Sequence, residues 1–189
     1  MRSLIEPGPI MLVSSHWKGK NNIMTMGWHM VMEFSTIGCY IWDQNHSFDM
    51  IHKSKECVIN IPTHDIIREV IAIGNSSGDE IDKFEEFDLT PEKASKVKAP
   101  LIRECYANFE CKLVDASLIS KYSLFVFDVV KAHVATSPRF PRTVHYRGNG
   151  RFMVSGKEVD YDRYFGRGVV VTARFADPAT RAAHKRGER

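Results

Sequence analysis

Hydroxyl, amide and ammonium groups stand at intervals along the first half of the chain, in a combination suited to binding an anion. Thr25 and Ser47 supply hydroxyls, Asn45 and Asn60 supply amides, and Lys83 supplies a positive charge. Hydroxyl and amide groups donate hydrogen bonds to phosphate oxygens, and an ammonium adds a charge-assisted bond. These are the side chains that a phosphate-bearing ligand requires.

The stretch MTMGW, residues 24–28, offers a surface for the flat part of such a ligand. Methionine and tryptophan side chains are large and polarizable, and Gly27 permits close approach of the backbone to a ring. Met24, Met26 and Met30 share one face of the predicted strand, which forms either protein core or the wall of a ring site. The sequence therefore indicates a site for a phosphate-bearing aromatic cofactor.

A helix is predicted over SFDMIHKSKE at 47–56, with Ser47 as its N-cap. The free N–H groups and the positive dipole end of a helix start favour an anion. Each residue also has an ordinary structural explanation. Ser47 can serve only as a cap, Thr25 as a β-former and Lys83 as a solvated helix residue.

Short segments rich in β-branched and aromatic residues predict the strands that position these groups. Residues 106–114 alternate between apolar and polar, which is typical of a half-buried strand, whereas residues 122–134 are apolar almost throughout and predict a strand covered on both faces. Hairpin turns are predicted at GKNN, residues 19–22, and at Ser155–Gly156. The remaining predicted strands are 9–17, 22–30, 37–42 and 56–62.

Helices are few and short. THDIIREVIAIG, residues 63–74, has helical spacing with Gly74 as its C-terminal stop, and residues 78–100 predict one more short helix followed by an exposed loop closed by Pro100. Six or more strands with hairpin spacing favour a closed or split antiparallel barrel. The sequence has no GxGxxG after a strand, which argues against a Rossmann nucleotide site.

Composition limits the class of protein. With 189 residues and 43% hydrophobic residues, the chain predicts one domain over residues 1–173, followed by a basic tail at 174–189. A net charge of +3 argues against a nucleic-acid surface. No stretch is long and apolar enough to span a membrane, and Pro7 interrupts the amino terminus, so we expect a cytoplasmic protein.

Cysteine and histidine spacing argues against disulfides and metal sites. Cys39, Cys57, Cys105 and Cys111 form no CxxC motif, and each falls in an apolar strand-like run where a free thiol acts as a small hydrophobe. The histidines show no spacing typical of metal ligands, and no carboxylate cluster joins them. We therefore expect no disulfide, no structural zinc and no other metal.

Five motifs in order carry a family resemblance: NIMTMGW, IWDQNHSFDMI, CVINIP, SSGDEIDKF and VHYRGNGRF. Their order and spacing resemble those of the flavin reductase-like, FMN-binding split-barrel family, and within it the flavoredoxin-like proteins. The resemblance covers about residues 5 to 160. It implies a mainly β fold, a six-stranded antiparallel split barrel with a few short flanking helices. It also implies a homodimer with FMN near the subunit interface.

The resemblance also assigns roles to residues. The segment Met24–Trp28 is expected to contact the flavin through backbone groups, and the turn at 45–47 to grip its phosphate. A strand at 60–61 lies beside the ring in this family, and the SG...DKF element closes over the phosphate end. The cofactor-binding residues so implied are Met24, Thr25, Met26, Gly27, Trp28, Asn45, His46, Ser47, Asn60, Ile61, Ser77 and Lys83.

One motif departs from the family pattern. Relatives commonly carry an arginine or lysine two or three residues before the phosphate-binding hydroxyl pair, where this chain has Trp42, Asp43 and Gln44. Phosphate binding is then expected to depend more on Lys83 and on backbone donors.

Three functions are compatible with these features. The first is an FMN-dependent oxidoreductase that uses NADH or NADPH to reduce flavin or a small acceptor. Hydride transfer between the two cofactors needs no protein acid or base, so no catalytic residue is predicted. The second is a flavoredoxin-type electron carrier that a redox protein partner reduces. The third is a non-catalytic barrel that binds flavin.

Overall fold

Antiparallel strands dominate the computed structural model, which describes residues 5–6 and 8–159. The predicted tail at 174–189 and the predicted domain end at 173 lie outside the described residues. The strands are β1 (Met11–Trp17), β2 (Lys20–Met26), β3 (His29–Val31), β4 (Thr36–Tyr40), β5 (Glu56–Ile61), β6 (Pro91–Glu92), β7 (Leu101–Ile102), β8 (Ala107–Asp115), β9 (Leu124–Val134), β10 (Val144–Gly148) and β11 (Arg151–Val154). The helices are α1 (His46–Ser54), α2 (Ile67–Gly74), α3 (Lys83–Glu86) and α4 (Ile119–Tyr122), with a 3₁₀ turn at His64–Ile66 before α2.

Seven strands form one sheet in the order β2-β1-β5-β8-β9-β4-β3, with antiparallel pairing throughout. The two edge strands, β2 and β3, are consecutive in the chain and are joined only by Gly27 and Trp28. A link of two residues cannot cross a flat seven-stranded sheet, because neighbouring strands alone lie about 4.8 Å apart. The sheet therefore curls until its edges meet at Gly27–Trp28, which confirms the split barrel with seven strands rather than six.

This break corrects the prediction of one continuous strand over residues 22–30. Gly27 and Trp28 leave the edge formed by β2, and the chain then enters the opposite edge as β3. The Trp28 carbonyl accepts a hydrogen bond from Tyr40 N at 3.0 Å, which fixes the link to strand β4. The three methionines predicted to share one strand face therefore lie in different environments. Met24 and Met26 are buried in the core, whereas Met30 is exposed.

The first hairpin is confirmed, with a different pair of turn residues. Trp17 pairs with Lys20, so Lys18 and Gly19 alone form the turn, at φ 49° and 80°. Two successive positive φ values are typical of the tight turn that suits the twist of two antiparallel strands. Asn21 and Asn22, which the sequence offered as turn residues, instead lie in β2.

Two hydrophobic clusters cover opposite faces of the sheet, as the alternation along β1 requires. Val13 belongs to a cluster on the inner face of the curled sheet, where the rings of Phe125 and Phe127 stack with their centroids 5.9 Å apart. Its neighbour Leu12 belongs to a second cluster, formed with α2 and the β10–β11 hairpin and including Val144. Cys39, Cys57 and Cys111 lie in the first cluster and Cys105 in the second, and all four are buried and free.

Strand β9 differs from its prediction. Only Phe125, Val126 and Phe127 are buried, and the second half of the strand is largely open to solvent. Polar side chains in this half pair with neighbouring strands. Asp128 accepts a hydrogen bond from Thr36 Oγ1 at 2.6 Å, and His133 pairs with a carboxylate of β8. An apolar run predicted burial on both faces, whereas the strand is buried on both faces only at its start.

Two further predictions about loops are wrong. The second hairpin turns at Asn149 and Gly150, which adopt φ 52° and 71°, and not at Ser155–Gly156. The connection after α3 is only partly exposed, because Val97 and Ala99 in it pack on Val58 of β5. Among the described residues, no helix is long and apolar enough to cross a membrane.

Candidate functional site

A polar cavity of about 220 Å³ lies between β2, the start of α1 and the connection from α2 to α3. Gly74, at the end of α2, and Gly78 form part of its wall. Seven of the residues predicted to bind cofactor line this polar cavity, although they come from separate parts of the sequence. They are Met24, Thr25, Asn45, His46, Ser47, Ser77 and Lys83.

Lys83 places a buried positive charge in the polar cavity. The side chain is only 4% exposed, and Nζ donates hydrogen bonds to the carbonyls of Ile73 at 3.0 Å and Ser76 at 2.8 Å. No carboxylate of the described residues pairs with it. Burial lowers the pKa of the Lys83 ammonium, since a low dielectric disfavours the charged form. An anion bound in the cavity would supply the missing counter-charge.

The first residues of α1 form another wall of the polar cavity. Asn45 is the N-cap residue, with extended φ −76° and ψ 132°, and its carbonyl accepts a hydrogen bond from Phe48 N at 2.8 Å. The prediction that Ser47 caps the helix is therefore wrong. Ser47 lies inside the helix, and its Oγ accepts a hydrogen bond from Asn22 Nδ2 at 2.8 Å. The helix start still brings free N–H groups and a positive dipole end to the cavity.

The α2–α3 connection closes over the helix start through polar contacts. Asp79 Oδ1 lies 2.6 Å from His46 Nδ1, and its Oδ2 accepts a hydrogen bond from Ser77 Oγ at 3.3 Å. Gly78 of this connection packs directly against Asn22 of β2 and His46 of α1. A Cβ built there would overlap Asn22 Oδ1 and would lie 3.0 Å from His46 Cδ2. Only glycine fits this approach, so the loop can reach the strand and the helix at once.

Thr25 and Asn22 have their hydrogen bonds within the protein. Thr25 Oγ1 donates to the Val70 carbonyl of α2 at 2.7 Å, which holds that helix against β2. Asn22 and Gly78 were missed by sequence reasoning. A signal for Asn22 was available in the sequence, because it lies two residues before Met24 and therefore on the same face of the strand. The structure shows that Asn22 is only 3% exposed. A buried amide in such a position requires a partner.

A second, apolar cavity of about 270 Å³ lies at the link between β2 and β3. The rings of Trp28 and Tyr40 meet there with centroids 5.1 Å apart, and Trp28 Nε1 donates a hydrogen bond to Glu6. A Cβ on Gly27 would stand 3.1 Å from Ile10 Cδ1, so one close approach that this glycine permits is to the protein itself. The lining is Ile5, Glu6, Gly8, Gly27, Trp28, His29, Met30, Gly38, Tyr40 and Leu124.

The segment Met24–Trp28 connects the two cavities. Met24 and Thr25 line the polar cavity, and Gly27 and Trp28 line the apolar cavity. One short segment therefore contributes both to a polar cavity and to an apolar one. This is the arrangement that a phosphate-bearing aromatic molecule requires.

Three predicted residues line neither cavity. Asn60 is fully buried, and its Nδ2 donates to the carbonyl of Leu12 at 3.0 Å while its Oδ1 accepts from Ile102 N at 3.3 Å. Ile61 and Met26 pack with the inner cluster. The structure thus gives Asn60 a structural role in joining β1 and β5 to β7, and ligand contacts of these three residues stay predictions.

Comparisons with known proteins agree with this architecture. The sequence model of the flavin reductase like domain matches residues 1–153. An uncharacterized protein of Archaeoglobus fulgidus is 32% identical over 123 residues, which cover 64% of this chain and 68% of that protein.

Solved structures share the fold. An FMN-binding domain of a flavin reductases-like enzyme from Shewanella baltica superposes with a TM-score of 0.75 at 24% identity, over 82% of this chain and 90% of that chain. Flavoredoxin of Desulfovibrio vulgaris (Miyazaki F) gives a TM-score of 0.74 at 23% identity, again over 82% and 90% of the two chains.

Proposed function

Since the chain belongs to the flavin reductase-like domain family, we propose that it is an FMN-dependent oxidoreductase that uses NADH or NADPH to reduce flavin or a small acceptor. The observation that carries this proposal is the buried Lys83 ammonium. It stands without a carboxylate partner among the described residues, in a cavity that one backbone segment joins to an apolar one.

The polar cavity suits the phosphate of FMN. A phosphate monoester carries a charge of about −1.5 to −2 at pH 7 and three acceptor oxygens. Lys83, the first N–H groups of α1 and the hydroxyl of Ser47 are the donors that would hold it. No arginine of the described residues lies in the lining, and Lys83 supplies its one ammonium group.

The flavin ring would then lie along Met24–Trp28 toward the apolar cavity. When bound, FMN supplies two-electron chemistry, because it accepts a hydride from a reduced nicotinamide. The protein holds the ring, excludes water and leaves one face open to the second reactant. Trp28 and Tyr40 provide the apolar surface for this. No side chain need act as an acid or base during the transfer, and we propose none.

A homodimer is part of the proposal. Strand β3 is an edge of the sheet, and it and the turn that follows expose apolar side chains: Met30, Val31, Met32 and Phe34, of which Val31 is 77% exposed. An exposed apolar edge of this kind marks an interaction surface. Because the edge adjoins the apolar cavity, a second copy bound here would help to enclose a flavin ring. A cytoplasmic location is also proposed, which the four free cysteines suit.

The test is anaerobic reduction of the FMN-loaded protein. Addition of NADH or NADPH should bleach the flavin absorbance within seconds, and a chosen acceptor should restore it. Slow bleaching by both nucleotides, with fast reduction by a redox protein, would instead establish the flavoredoxin-type carrier. Flavin that neither donor reduces would establish a non-catalytic flavin-binding barrel. A protein that takes up no FMN would overturn all three.

A further inference from the structure

His46 has one ring nitrogen engaged by the protein and one without a partner among the described residues. Its Nδ1 lies 2.6 Å from Asp79 Oδ1, and a carboxylate can only accept, so Nδ1 carries a proton. Among the described residues, no group bonds to Nε2, and the ring lines the polar cavity. The chemical state of Nε2 therefore decides what His46 offers to an anion.

A neutral His46 would oppose a phosphate. With the proton on Nδ1, Nε2 presents a lone pair, which repels phosphate oxygens because both are acceptors. A protonated His46 presents Nε2–H as a donor and adds a positive charge. An anion close to Nε2 therefore requires the protonated form of the ring.

The charged groups around His46 favour the protonated form once a phosphate is bound. Asp79 faces it from the α2–α3 connection, Asp49 lies one turn further along α1, and Lys83 lines the same cavity. A phosphate would therefore enter beside the Asp79 carboxylate, and a cation between the two anions would relieve their repulsion. Among the described residues of the lining, Lys83 carries the one ammonium group, and that group is already bonded to two carbonyls.

We infer that phosphate binding in the polar cavity takes up about one proton from solvent, which is held on His46 between Asp79 and the phosphate. The inference rests on the proposed function, since the phosphate is that of FMN. It makes flavin retention depend on pH, with tighter binding in acid. His46 would then supply the positive charge that an arginine or lysine supplies in relatives that carry one before the phosphate-binding hydroxyl pair.

Calorimetry tests this with FMN and the flavin-free protein at pH 7.5, in HEPES and in Tris, whose ionisation heats differ. Both buffers lack phosphate, which would compete. The difference in binding heat gives the protons taken up, and the value should approach one. At this pH the phosphate of FMN is itself almost fully ionised, because its second ionisation lies near pH 6. Because the bound state then holds one more proton than the free state, affinity should fall as the pH rises.

His46→Gln should remove both the proton uptake and the pH dependence, whereas His52→Gln, on the same helix but outside the cavity lining, should keep them. Uptake below about 0.2 proton in the wild type would overturn the inference, and so would unchanged uptake in His46→Gln. The wild-type measurement decides the matter if the variant does not fold. FMN that binds without uptake refutes only the role of His46, whereas FMN that fails to bind at every pH refutes the proposed function.

Discussion

Lys83 shows how one residue can define a site. A buried ammonium without a carboxylate partner costs free energy unless other groups stabilise it, and two backbone carbonyls do so only in part. The remaining charge favours an anion in the cavity. The interpretation of Lys83 as a solvated helix residue is excluded by its burial.

Replacing Lys83 by methionine keeps most of the side-chain volume and removes the charge. A hydrogen bond to a charged group contributes about 1.5 to 3 kcal/mol, so the Kd for FMN should rise roughly ten- to hundredfold. Riboflavin, which lacks the phosphate, should bind the variant as it binds the wild type. Fluorescence titration with both flavins measures this.

Lys53→Met provides the matched control, because Lys53 is an exposed lysine of α1 that pairs with Asp49 outside the cavity lining. It should leave both affinities unchanged. Equal losses of FMN and riboflavin binding in Lys83→Met would show that the lysine supports the fold and not the phosphate.

Residue types predicted part of the site. Four residues of the polar cavity were identified by their hydroxyl, amide or ammonium groups: Thr25, Asn45, Ser47 and Lys83. The family resemblance added Met24, His46 and Ser77. Asn60 has the same side-chain chemistry as Asn45, yet its amide forms hydrogen bonds with backbone groups of neighbouring strands. Sequence alone does not distinguish the two cases, because the partner of a buried amide is set by strand register and not by local pattern.

At the scale of elements, a buried carboxylate holds the long connection between β6 and β7. Glu110 of β8 is fully buried and accepts hydrogen bonds from the backbone N–H groups of Ser95, Lys96 and Val97 and from His133 Nε2. This explains why residues predicted as an exposed loop pack on β5. The alternating pattern of β8 did not predict the burial of Glu110, because it assigned this residue to the polar face of the strand.

Protonation of Glu110 should destabilise the fold. Burial raises its pKa, but the bonds from His133, Ser95 and Lys96 outweigh burial and lower the pKa from 4.5 to about 2. The contribution to stability is thus complete above the ordinary pKa and is lost as pH falls toward 2. Between pH 7 and pH 3, Glu110→Gln should lose about 2 kcal/mol less unfolding free energy than the wild type.

Urea unfolding at the two pH values measures this difference. Glu86→Gln, an exposed position at the end of α3, should retain the wild-type pH dependence. If Glu110→Gln and the wild type lose the same amount, the carboxylate does not anchor the connection in its charged form.

At the scale of the whole molecule, the curl of the sheet creates the site. The edges β2 and β3 meet at Gly27–Trp28, which line the apolar cavity, and Met24 and Thr25 just before them line the polar cavity. Strand existence and the barrel class were predictable from period-two patterns and hairpin spacing. The break inside residues 22–30 was not, because only the order of all seven strands shows that the chain must change edges there.

The proposed homodimer predicts a particle of twice the mass of the chain in light scattering after gel filtration. Val31→Lys puts a charge on the exposed edge of β3 and should shift the protein to monomer, with weaker FMN binding. Ile71→Lys changes an exposed apolar residue of α2 and should leave the mass unchanged. A wild-type monomer at micromolar concentration would contradict the proposed assembly.

The most direct test of the central claim is a crystal structure of the protein loaded with FMN. The account predicts the phosphate in the polar cavity, within hydrogen-bond distance of Lys83 Nζ and the first N–H groups of α1, and the ring along Met24–Trp28. A phosphate bound elsewhere, with Lys83 still bonded only to the carbonyls of Ile73 and Ser76, would contradict it.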